Sequence, residues 1–232
     1  MLLINTSHKG TTMKLLAGKE LLKLIEDGVI TANPDNVNAS SIDITLGDII
    51  LTEPAIGGLP SVSLSERTLF AMEEHNIANS NYTLPPQRNC LVQSKEMFNL
   101  PNNISAQYRL KSSMARMGLA EAGAGWCDAG WHDSVLTIAL TNNNNRTGVQ
   151  LDAGVKIGQV IFFEHAEVPD SLSYATQGTY NETSKTTGAK AEANTKKEEE
   201  AVTKSEAKEE PVTAQTAIQK AQAKAKARAS QQ

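Results

Sequence analysis

Between residues 29 and 165 the chain breaks into short runs of β-favouring residues, at 41–46, 49–52, 90–93, 104–109, 135–141, 149–151 and 159–163, separated by segments rich in Pro, Gly and Asn. Many short strands joined by turn residues, with no long amphipathic helices between them, exclude a βαβ architecture and point to a barrel or jelly-roll sandwich. One helix precedes them. Residues 18–27 place Leu21, Leu22, Leu24 and Ile25 among charged side chains and stop at Gly28, a residue suited to the left-handed position after a helix. The polar run Asn142 to Asn145, followed by Arg146, Thr147 and Gly148, reads as a hairpin loop, with an asparagine cluster for a sugar or base as the other reading.

Composition sets the limits of this domain. Aromatic residues make up 4% of the 232-residue chain, low for a chain that is hydrophobic at 40% of its positions. Beyond Tyr180 no aromatic residue follows, and Lys, Glu, Ala, Thr and Gln dominate. Such a segment buries too little apolar area to offset its ordering entropy. The expected division is therefore a 1–12 extension, a β domain over 13–180 and a charged, flexible 181–232 tail, which is a solvated segment or a docking segment for a protein partner. The formal net charge of −4 provides no basic field for nucleic acid. The apolar start Leu2, Leu3, Ile4 is too short for a signal core or a membrane span, so a cytoplasmic protein without membrane contact is expected. Cys90 and Cys127 stand far apart in no metal or redox spacing.

Two segments carry the chemistry. In Lys111-Ser112-Ser113-Met114-Ala115-Arg116, two hydroxyls and a guanidinium meet a helix-like stretch, which makes either an anion site or an ordinary cap with a solvated arginine. In the stretch from Gly123 to Trp131, small residues surround Asp128 and two of the chain's rare aromatics, Trp126 and Trp131. Gly125 permits close backbone approach, and a carboxylate beside a ring suits a water or a sugar hydroxyl; a β-hairpin with a turn aspartate is the alternative.

In this order, the two segments resemble the dCTP deaminase/dUTPase superfamily, whose R/K-S-S-x-A-R-x-G-L motif is followed by A-G-x-I-D-x-G-W/F. Ala39 to Gly47 is similar to the S-S-x-D-x-x-L-G strand of the deaminase branch, Leu100 to Gln107 to L-P-x-D-I-x-A, and Lys156 to Phe162 to R-I-G-Q-L-x-F. The resemblance runs from about Met13 to Tyr180. It implies a mainly β, dUTPase-like distorted jelly roll with a short N-terminal helix, assembled as a homotrimer with sites between subunits. It implies further that Ser112, Ser113 and Arg116, next to Lys111, hold the triphosphate of dCTP or dUTP, that Asp128 is the catalytic carboxylate beside the deoxyribose, and that Gln159 reaches a phosphate. Gly125, Trp131 and Tyr180 complete the expected substrate-binding set. Mg²⁺ is expected on the triphosphate, with no metal held by side chains. Zinc is not expected, because none of His8, His75, His132 and His165 stands in the H-x-E…P-C-x-x-C arrangement.

The chain departs from the pattern at the glutamate that deaminases place after the Asp-x-Gly-Trp turn. A gapless count puts Ile138 there and one inserted residue puts Ala139 there, and no carboxylate occurs from Ser134 to Gln150. Asp133 and Glu121 are the nearby acids that stand as replacements. The Ser112 to Asp128 spacing matches dUTPases, which favours hydrolysis of dUTP toward dUMP over deamination of dCTP. The R-G-x-x-G-F-G closing motif of dUTPases is absent, and residues 178–185 are similar to the deaminase G-K-Y-x-x-Q lid, with Thr179 and Thr183 in place of Lys and Gln. The alternative is an inactive relative that keeps the fold for binding, regulation or assembly.

Overall fold

A computed structural model describes residues 13–54, 61 and 72–189. The helix expected near the N-terminus is α1 (Lys19–Glu26), which buries Leu21 and Leu24 and ends where Gly28 takes φ 74°. Eleven strands follow or flank it: β1 (Lys14–Leu15), β2 (Ile42–Thr52), β3 (Glu73–Asn76), β4 (Asn81–Leu84), β5 (Asn89–Phe98), β6 (Ile104–Leu110), β7 (Leu119–Glu121), β8 (Trp126–Cys127), β9 (Ser134–Asn142), β10 (Val149–Asp152) and β11 (Lys156–Glu164). Two short helices, α2 (Ser112–Arg116) and α3 (Tyr174–Gln177), complete the described secondary structure apart from two single turns.

All seven strand-like runs of the sequence are strands, and two of them, 41–46 and 49–52, fuse into β2. The polar Gly47-Asp48 pair that separates them in the sequence marks a bend in one long strand. Residues 42–45 pair with β11 on one side of the bend, and the rest of β2 pairs with β5 and β3. A single nine-stranded antiparallel sheet curls in the order β7-β9-β5-β2-β11-β6-β8, with β1 added to β11 and β3 to β2, while β10 and β4 form a separate pair. The fold is therefore mainly β, as the turn-rich pattern requires.

The concave side is apolar. Ile42, Ile44, Leu46, Ile50, Val92, Phe98, Ile138, Leu140, Val160 and Phe162 all fall at 3% exposure or less, and alternation along each strand puts their neighbours on the other face. β1, β3, β4, β7 and β8 are not legible as strands in the sequence, because each is four residues or fewer; β1, β3, β7 and β8 are held by pairing to longer strands, and β4 by the equally short β10.

The boundary expected at Tyr180 falls inside a packed segment. Val135 N–H donates to Thr183 O at 3.0 Å, Thr183 N–H to Ser134 Oγ at 3.1 Å, Thr186 N–H to Gln93 Oε1 at 3.0 Å, and Lys185 pairs with Glu74 at 2.8 Å. Backbone groups of residues 183–186 are thus satisfied by β5 and β9 in place of water, which composition cannot reveal. The remainder of the expected tail, 190–232, and the 1–12 extension lie outside the described residues.

Candidate nucleotide site

A cavity of about 340 Å³ opens between β8, β9 and the 174–189 segment, and its lining includes Asp128, Trp126, Trp131, Tyr174, Tyr180 and Thr183. Asp128 is exposed and accepts a hydrogen bond at Oδ1 from Trp126 Nε1 at 2.8 Å. Trp131 is buried instead, stacked on Phe98 with centroids 5.1 Å apart, and its Nε1 donates to Tyr180 O at 2.8 Å. That bond and a second one from Ser134 Oγ to the same carbonyl, 2.9 Å, dock the C-terminal segment on the domain. Tyr174 was not singled out from the sequence. Its ring lines the cavity, its hydroxyl accepts from Tyr180 N–H at 3.3 Å, and burial raises its pKa. No short motif marks it, because it reaches the site from a segment that returns to β8 and β9 only in the folded chain.

The structure distinguishes the two alignments of the missing glutamate. Ile138 points into the core at 3% exposure, whereas Thr137 and Ala139, on the other face of β9, line the cavity. Neither replacement acid lines this cavity, although Glu121 lines a smaller pocket together with Thr137 and Ala139. Glu121 pairs with Leu140 in the sheet, and its carboxylate is engaged by Leu110 N–H, which donates to Oε2 at 2.9 Å, and by Arg109 at 3.8 Å. Asp133 sits at a turn with φ 47° and donates its N–H to Asn99. Among the described residues, Asp128 is the carboxylate that lines the cavity.

Gly125 makes a close approach within the chain itself. A Cβ there would stand 2.9 Å from Tyr108 O and 3.0 Å from Tyr108 Cβ, so its close approach is to the chain's own Tyr108. Both cysteines are buried, Cys90 near β9 and Cys127 between Trp126 and Asp128, and burial pushes each thiol up to about 12. They remain protonated and chemically quiet at neutral pH.

The phosphate motif lies elsewhere on the chain. Ser112, Ser113 and Arg116 form α2 and are exposed, and none of them, nor Lys111 or Gln159, lines the Asp128 cavity. Beneath α2 lies a charge hub. Asp43, 4% exposed, accepts from Lys111 Nζ at 2.6 Å and from Asn38 Nδ2 at 2.9 Å, and Lys156 Nζ stands at 3.3 Å. Burial opposes the charged form of Asp43, yet the hydrogen bonds from Lys111, Asn38 and Lys156 outweigh it and lower its pKa. Gln159 lies beside Asp43 in the sheet and accepts from Ser41 Oγ at 3.3 Å.

The asparagine loop is structural, and it braces α2. Asn142 Nδ2 bonds the carbonyls of Leu84, Pro85 and Thr147, while Asn144 Nδ2 donates to Met117 O at 2.8 Å and Asn143 N–H to Gly118 O at 2.8 Å. Gly118 has φ 89°, and a Cβ there would meet Asn144 Oδ1 at 2.4 Å, which explains the glycine that ends the R-x-G motif.

With fold and geometry in view, comparison with known proteins defines the class. The chain shares its fold with the 2′-deoxycytidine 5′-triphosphate deaminase of Agrobacterium tumefaciens, at a TM-score of 0.51 and 19% identity, covering 66% of this chain and 49% of that one, so it spans about half the length of that protein. Among curated relatives, the dUMP-forming dCTP deaminase of Methanosphaerula palustris is 30% identical over 68% of this chain and 86% of its own, and that of Aquifex aeolicus 29% identical over 68% and 86%. A family model described as dCTP deaminase-like matches residues 15–165, and the chain belongs to that family.

Proposed function

We propose that this chain binds a pyrimidine deoxynucleoside triphosphate and hydrolyses dUTP to dUMP and diphosphate, with little or no deamination of dCTP. One observation carries the choice between the two reactions. The β9 residues that line the cavity are Val135, Leu136, Thr137 and Ala139, none of which can take a proton from the water that would add to a pyrimidine ring carbon, whereas Asp128 lines the same cavity. A positioned base is worth about 10²- to 10⁴-fold in rate, so deamination without one falls close to background.

In hydrolysis, the water oxygen bonds the α-phosphorus, its proton passes to Asp128, and the bond to the diphosphate leaving group breaks. Ser112, Ser113 and Arg116 hold the phosphate oxygens and stabilise the charge that develops on them. A Mg²⁺ bound through the triphosphate would neutralise its charge. Because α2 and the Asp128 cavity do not share a lining within one chain, the complete site is assembled between copies, as a homotrimer provides.

A second reading, a relative that binds nucleotide without turnover, is favoured by the absent base and by the threonine at position 183 in the cavity lining. Incubation of the purified chain with Mg²⁺ and dCTP or dUTP separately, resolved by ion-exchange chromatography, decides among them. Release of dUMP from dUTP with dCTP untouched supports hydrolysis. Formation of dUTP or dUMP from dCTP overturns the argument from Thr137 and Ala139. Absence of turnover with retained binding establishes the second reading.

A further inference from the structure

The chain has two tryptophans, and their surroundings are opposite. Trp131 is 6% exposed, while Trp126 is 52% exposed. A single exposed ring is ordinary on a protein surface, so exposure alone assigns nothing. Three further observations do. Trp126 Nε1 donates to Asp128 Oδ1 at 2.8 Å, the ring is stacked at 28° on Phe163 with centroids 6.1 Å apart, and it lines the cavity that contains Asp128. β8 prepares this directly, since Trp126 is exposed in the strand, Cys127 is buried, and Asp128 follows the strand exposed again. Phe163 fixes the indole from β11, and the indole in turn occupies one carboxylate oxygen and leaves the other to accept from a ligand or a water.

We propose that Trp126 is the positioning residue for Asp128 and contacts the nucleoside end of the ligand with its exposed ring. The inference rests on the nucleotide reading above. The ligand class that satisfies both halves of the pair is a planar ring attached to a hydroxyl-bearing sugar: the indole packs against the ring system, and the carboxylate accepts from the sugar hydroxyl or from the attacking water. Aromatic packing against a base is sequence-tolerant, and its loss weakens binding on the order of tenfold.

The test uses the full chain with Mg²⁺ and the non-hydrolysable α,β-imido analogues of dUTP and dCTP, with binding followed by calorimetry and by intrinsic fluorescence. The expected result is a fluorescence change in the wild-type chain that tracks calorimetric binding of one analogue and is reduced in Trp126→Phe to the smaller contribution of Trp131, which lines the same cavity but is buried against Phe98. Trp126→Ala should weaken binding about tenfold. Trp126→Phe keeps the ring and loses the N–H, so it should bind within a few-fold of wild type yet turn dUTP over more slowly, a fall in kcat without a matching rise in KM. If the wild-type chain binds neither analogue, the nucleotide reading fails and this inference with it. If it binds and both variants match it in affinity, fluorescence response and turnover, Trp126 has no part in the site although the nucleotide reading stands. A fluorescence change that follows dilution of the protein and ignores nucleotide would place the ring under a second copy and overturn the ligand contact. Trp126→Phe carries the test if Trp126→Ala does not fold.

Discussion

The Asp128 cavity and the α2 platform are built in opposite ways. The cavity is concave and lined by aromatic side chains, and its carboxylate is held by a neighbouring tryptophan two residues away. The platform presents Ser112, Ser113 and Arg116 on the surface, and its order comes from beneath, through the Asp43 hub and the asparagine loop. On the proposed reading, the first region surrounds a nucleoside and the second offers donors to a phosphate chain. Concave enclosure and surface display are thus separated along the chain, and the proposed assembly of copies is what would bring them together.

The strongest way to break this comparison is to damage each half separately. Asp128→Asn should lower dUTP hydrolysis by about 10²- to 10⁴-fold while preserving the rise in melting temperature on adding dUTP and Mg²⁺. Arg116→Ala should instead abolish that rise, with Kd weakened about 10- to 100-fold, the worth of a charge-assisted phosphate contact, and leave the melting temperature without nucleotide unchanged because the side chain is exposed. Refolding the two inactive variants as an equal mixture should restore about a quarter of the wild-type rate, the chance that a site between copies draws both intact side chains. No recovery in a verified mixed oligomer would show that one chain supplies both halves.

The hub under α2 sharpens the comparison further. Asp43→Asn should cost about 2 kcal/mol near neutral pH, less than for a fully buried pair, since the side chains of Lys111 and Lys156 are 28% and 46% exposed. The lowered pKa of Asp43 means that its contribution is present above the ordinary carboxylate range and is lost as pH falls through the depressed folded-state value. Chemical denaturation from pH 6 downward should show that loss in the wild-type chain and a flatter profile in the variant.

On the cavity side, truncation after Tyr180 compared with truncation after Ala189 isolates the 181–189 segment. Loss of its hydrogen bonds to Ser134, Val135, Gln93 and Thr137 should cost about 2 kcal/mol and lower the melting temperature by roughly 4–8 °C. The smallest effect is expected between the two regions. Glu96 is buried, and that burial raises its pKa against the opposing hydrogen bonds from Thr45. A raised carboxyl pKa gives stability that is present at low pH and lost as pH rises through the folded-state value. Glu96→Gln should therefore change stability by less than about 1 kcal/mol at pH 4 and become relatively stabilising toward pH 8.

The sequence alone determined the features that depend on local pattern. The β class followed from strand-length apolar runs between turn residues, α1 from its spacing and Gly28, and the two chemical segments from residue types that anion and hydroxyl recognition require. Tertiary structure decided everything that depends on which faces meet. It put Ala139 on the cavity and Ile138 in the core, tied Glu121 to Leu110 N–H, packed Gly125 on Tyr108 and the asparagine loop against the end of α2, and brought Tyr174 and Thr183 to Asp128, more than forty residues upstream. A single residue of register moves a side chain to the opposite face of a strand, and hydrogen bonds between distant segments leave no trace in composition or spacing. For that reason the chemistry of the cavity wall belongs to the fold, even where the residue types were evident in the chain.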